Sequence, residues 1–122
     1  MGSWGDDNFA NDGARDYLSM LAAKLVATIT EVYRDQERLA LEEDGEAMFM
    51  PSVELLALMC ERYGATPPKP ATIEQWQERY LQLFDETVEG YNAEPEFQAS
   101  RRRRIEQTFR WLTGLAESHW SN

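Results

Sequence analysis

Residues 11–34 read NDGARDYLSMLAAKLVATITEVYR. Apolar side chains recur at Ala14, Tyr17, Leu18, Leu21, Ala22, Leu25, Ile29, Val32 and Tyr33, a spacing of three and four that lines one helical face for about six turns. Arg15, Asp16, Ser19, Lys24, Thr30, Glu31 and Arg34 occupy the opposite face, as on an amphipathic surface helix. Asn11 or Asp12 can cap it, since a short side-chain oxygen satisfies the N–H groups left free in a first turn. Such a stripe must be buried against other elements, so the fold depends on what the rest of the chain offers.

Downstream, residues 35–47 are rich in charge, and the run Glu42, Glu43, Asp44, Gly45, Glu46 resists burial, which predicts a loop or a frayed helix end. Pro51 suits a first helical turn, and Val53 to Tyr63 is apolar nearly all round, the pattern of a central helix covered by its neighbours. Gly64 is a natural stop, and residues 65–71, with Pro67, Pro68 and Pro70, form an extended connector. Thr72 with Gln75 predicts a capping box for a third helix, with Ile73, Trp76, Tyr80, Leu83, Phe84, Thr87 and Val88 on one side. Gly90, Tyr91 and Asn92 break that helix. Pro95 opens a last one, whose apolar positions are Phe97, Ile105, Phe109, Leu112, Leu115 and Ala116, with Trp111 and Trp120 at or beyond the edge. No stretch alternates with period two long enough for a strand. The expectation is an all-α, small four-helix bundle-like domain over residues 1–122, opening with an ordered irregular arm over residues 1–10.

A chain of 122 residues with 43% hydrophobic residues can bury an independent core. Its single cysteine, Cys60, lies in an apolar run and has no internal partner, so a buried structural thiol is expected. Nowhere do 18 apolar residues run together, and no basic segment precedes a long apolar one, so the expected compartment is the cytoplasm, without a membrane anchor. A myristoylation start would need Ser or Thr where Asp6 stands. The net charge is −10, with 13 acids against 5 bases over residues 1–63 and 9 against 7 over residues 64–122. This field argues against nucleic acid as a direct ligand and favours a basic protein partner.

Catalytic constellations are hard to assemble from these residues. His119, the one histidine, sits in the final turns, where it suits the negative end of a helix dipole better than a general base. With one His and one Cys, no Ser-His-Asp or Cys-His pairing can be specified. An EF-hand ladder started at Asp7 fails at its third position, Phe9, and zinc or di-metal ligand spacings are absent, so no metal and no cofactor is expected. Arg101, Arg102, Arg103 and Arg104 form the sharpest local feature and project around a full helical turn. They can pair with Glu42, Glu43, Asp44 or Glu46 and with nearby Glu94 and Glu106, or serve as a partner or dimer contact.

The opening residues Met1, Gly2, Trp4, Gly5, Phe9, Asn11, Asp12, Ala14, Asp16 and Leu18 resemble the start of an uncharacterised bacterial family, domain of unknown function 4259. The helix over Ser52 to Tyr63, with Glu54 inside it and a glycine and prolines after it, looks like that family's second helix. The resemblance covers roughly the first 70 residues and implies a bacterial, helical, cytoplasmic protein; it implies no mechanism. Physically, Gly2 and Gly5 permit turns or close approach, Trp4 and Phe9 can plug a groove between helices, and Asn11 or Asp12 can cap. Alternatively Asp6, Asp7, Asp12 and Asp16, with Trp4, line a small pocket. The functional expectation is an acidic protein-interaction module, most concretely an immunity-type inhibitor of a basic toxin or enzyme. Glu42, Glu43, Asp44 and Glu46 would capture that partner, and Arg101 to Arg104 would make a second or homodimer contact. A self-associating helical protein, or a small-molecule-binding protein or enzyme, is the alternative.

Overall fold

The computed structural model describes residues 5–40, 43–88 and 94–121. Among them, four long helices build the domain: α1 (Asp12–Arg34), α3 (Met50–Tyr63), α4 (Pro70–Thr87) and α5 (Pro95–Trp120). A one-turn helix, α2 (Gln36–Leu39), and a five-residue π-helical turn, Gly45–Phe49, lie between α1 and α3. No strand occurs among the described residues, and the fold is an all-α bundle.

Asn11 caps α1: its backbone is extended and its Oδ1 accepts the Ala14 N–H at 2.8 Å. Asp35 ends α1 and starts α2, donating its N–H to the Val32 carbonyl at 3.1 Å while its carboxylate accepts from the Glu37 and Arg38 N–H groups. The charged stretch therefore holds more helix than its composition suggested. In the π turn, Met50 N–H reaches the Gly45 carbonyl five residues back, and the chain continues directly into α3. That helix ends as expected at Gly64, whose φ of 75° is the left-handed conformation that a side chain disfavours; the N–H groups of Gly64 and Ala65 cover the last carbonyls.

The third long helix begins earlier than the capping-box reading placed it. Lys69 is the N-cap, Pro70 takes the first helical position, and Thr72 is already inside the turn, its N–H bonded to the Lys69 carbonyl at 3.0 Å. Proline's fixed φ seeds the turn without a side-chain cap. The break at Gly90, Tyr91 and Asn92 lies outside the described residues.

α5 packs between α3 and α4, and α1 packs on α3. Phe9 of the arm packs tilted against Tyr63 with ring centroids 4.6 Å apart, and the Arg15 guanidinium donates to the Tyr63 carbonyl, so α1 and α3 run antiparallel. Asp85 near the end of α4 holds Arg102 near the start of α5, which makes that pair antiparallel as well. α3 and α5 are parallel: Arg101 shares a groove with Met50, Trp111 donates to Glu61 further along, and the Trp120 indole reaches the Pro67 carbonyl at 3.0 Å.

Phe49 occupies the middle of the core, fully buried, stacked on Tyr80 at 5.2 Å and meeting Trp76 and Phe109 at 6.5 and 6.3 Å. The π turn thus swings an aromatic ring from the end of the charged stretch into the gap between α4 and α5. Three sequence expectations need correction. Tyr17, expected on the buried stripe of α1, is 55% exposed. Phe97 is 62% exposed rather than part of the core stripe, and Pro95 and Glu96 beside it in the first turn of α5 are exposed as well. α3 is covered on one side only: Val53, Leu56, Ala57 and Cys60 are buried, whereas Leu55 and Leu58 are 51% and 45% exposed.

Candidate functional site

The groove between the π turn, α3 and α5 gathers residues from both charged runs. It is open, about 370 Å³ in volume, and is lined by Glu46, Met50, Pro51, Glu54, Leu55, Arg101 and Thr108. The π turn places Glu46 at one end, because Gly45 before it is buried against α2 while Glu46 projects outward. Arg101 enters from α5 one turn before buried Ile105, on the side of that helix that faces α3. Neither Glu46, Glu54 nor Arg101 makes an ion pair with another described residue, so the groove presents charges of both signs beside exposed leucine.

The acidic run does not act as one patch. Glu42 lies outside the described residues, and Glu43 is exposed. Asp44 is occupied internally: its Oδ2 accepts from Arg38 Nε at 2.7 Å, while Arg38 Nη1 reaches Glu31 at 3.0 Å. These two hydrogen bonds to carboxylates raise the pKa of Arg38 further above its ordinary value. Asp44 is thus paired within the chain, with Arg38 six residues before it.

The arginine run is divided in the same way. Arg102 is clamped, with Nε and Nη2 on the two oxygens of Asp85 at 2.8 and 2.9 Å and Nη1 on Glu106 at 2.9 Å. The Asp85 carboxylate is held below its usual range by that hydrogen bonding, against the opposing effect of burial. The Glu106 pair fulfils the helix-spacing expectation, but the expected pairing of the arginines with Glu43, Asp44 or Glu46 does not form among the described residues. The reason is topological: α4 delivers Asp85 to the flank of α5 where Arg102 projects. Arg103 and Arg104 remain exposed.

At the N-terminus, Gly2 and Trp4 lie outside the described residues. A Cβ on Gly5 would meet Ala10 at an ordinary 3.9 Å, so no close approach demands glycine there. Phe9 docks on Tyr63 and Asn11 caps α1, while Asp6, Asp7, Asp12 and Asp16 stand exposed along the arm and first turns. Cys60 is buried, and burial pushes its thiol up to about 11, away from nucleophilic readiness. His119 sits exposed in the last turn of α5, edge-on to Trp120 at 4.9 Å.

Among the described residues, no three His, Cys, Asp or Glu side chains converge as metal ligands would, and no helix is long and apolar enough to cross a membrane. Glu54, Leu55, Asp85 and the Glu61–Trp111 contact were missed from sequence. Pro51, Leu55 and Leu58 were legible as an i, i+4, i+7 stripe, but a helix apolar all round does not reveal which side stays open. No family model matches the chain, and no curated protein or solved structure matches it significantly.

Proposed function

We propose that this chain is an acidic protein-interaction module that captures a basic protein, in the manner of an immunity-type inhibitor. The observation that carries the reading is the edge at the π turn, where Glu43 and Glu46 are exposed without an ion-pair partner among the described residues. A net charge of −10 makes that edge part of a field that steers a cationic surface toward it. The capture set is Glu42, Glu43, Asp44 and Glu46, of which Asp44 is also paired with Arg38. The cytoplasm is the proposed compartment, and kinship with domain of unknown function 4259 belongs to the same proposal, supported by the residues of the arm.

Affinity capture from the native cell tests this, using the wild-type chain beside a Glu43→Gln, Glu46→Gln double variant at low and high salt. The expected result is one dominant basic protein, retained at low salt by the wild type, released by salt and weakened in the variant. Identical capture by both chains would contradict the assignment.

A further inference from the structure

A helix that is apolar nearly all round is normally covered all round, yet α3 leaves Pro51, Leu55 and Leu58 in the open on one stripe. Beside it, Phe97, Arg101, Arg104, Thr108 and Trp111 follow one another on α5 at intervals of four, three, four and three. That is a continuous helical stripe, and Arg101 and Thr108 place it on the groove. Because α3 and α5 are parallel, the two stripes lie side by side and form one seam, with Leu55, Leu58 and Phe97 as its exposed apolar groups. The Trp111 indole, fixed by its hydrogen bond to Glu61, ties the two helices together at the far end.

We propose that this seam binds a second copy of the same chain, related by a two-fold axis running along the helices. Each α3 then faces the partner's α5, and each α5 the partner's α3, the isologous contact in which every pairing occurs twice. Charge selects this occupant. A basic foreign helix would meet Arg101 and Arg104 on the seam, and an acidic one would meet Glu46 and Glu54; a second copy brings both signs in matching order, Glu54 against Arg101 in each half. Leu55 and Leu58 would meet Arg104 and Trp111 of the other copy, an aromatic and arginine composition typical of contact surfaces. The inference shares Glu46 with the proposed capture of a basic protein but rests on the leucines of α3 and the arginines of α5, which that capture does not use.

Sedimentation velocity of the full chain decides it, run at physiological ionic strength up to about 100 μM, where even a contact of micromolar affinity is well populated. The expected result is a concentration-dependent shift from the 14.1 kDa chain to a species of twice that mass. Leu58→Glu should raise the dissociation constant tenfold or more with unchanged helical circular dichroism. Glu54→Arg should weaken the dimer similarly, and Glu54→Arg combined with Arg101→Glu should restore it, which keeps the test decisive if Leu58→Glu disturbs folding. A chain that stays monomeric throughout, or a dimer indifferent to these substitutions, would overturn the proposal.

Discussion

Gly45 rests directly on the carbonyl oxygen of Leu39, so close that a Cβ added to Gly45 would overlap it and would also stand 2.9 Å from the Ala40 carbonyl oxygen. The obstructing atoms are backbone and cannot swing aside. Gly45→Ala should therefore push the π turn off α2, withdraw Phe49 from Tyr80 and destabilise the fold by about 2–3 kcal/mol. Urea unfolding followed by circular dichroism measures this; a loss below about 0.5 kcal/mol would show that the turn is not held there.

Gly114 predicts the opposite sign. It lies exposed within α5, and a Cβ there would meet nothing within 4 Å. Replacing it by alanine removes backbone freedom from the unfolded chain without a clash, so Gly114→Ala should stabilise by about 0.5–1 kcal/mol in the same assay. A destabilised variant would mean that this face of α5 is covered in solution.

Cys60 sets an alkaline limit. Its thiol titrates at about 11 in the fold, above the ~8.5 of a free thiol. A raised folded pKa gives a contribution fully present below the unfolded value and lost as pH climbs through the folded one. Stability should therefore fall between about pH 8.5 and 11 more steeply for the wild type than for Cys60→Ala. A thiol reagent should label the native protein slowly and the urea-unfolded chain at once; rapid native labelling would contradict the burial.

The Asp85–Arg102 clamp sets an acid limit. Asp85 is held below its usual range by the Arg102 hydrogen bond, so its contribution is present above the ordinary carboxylate pKa and disappears as pH falls through the folded value. Because both side chains are partly exposed, the pair is worth up to about 1 kcal/mol. The stability difference between wild type and Asp85→Asn should be largest near neutrality and shrink below about pH 3.9. A difference independent of pH would remove the clamp from the acid response.

Much of the fold was legible in local pattern. The Asn11 cap, the α1 stripe, the Gly64 stop and the proline starts each follow from the chemistry of one or two residues. What escaped was long-range. Phe49 was hidden because it closes a charged stretch and belongs to no helical period until the π turn carries it inward. Asp44 and Arg102 found partners that composition could not choose, since Arg38 and Asp85 reach them through the turn and the bundle topology. The open side of α3 was hidden for the same reason, as which helices cover it depends on their order in space.

The acidic edge is proposed to steer a basic partner. The most direct measurement is the association rate between this chain and the basic protein recovered by low-salt affinity capture, followed over a range of ionic strength. The rate should fall steeply with added salt, with a shallower slope for Glu43→Gln, Glu46→Gln, because electrostatic steering is screened within a Debye length of about 8–10 Å. A rate insensitive to salt, or the same slope for both chains, would contradict that steering.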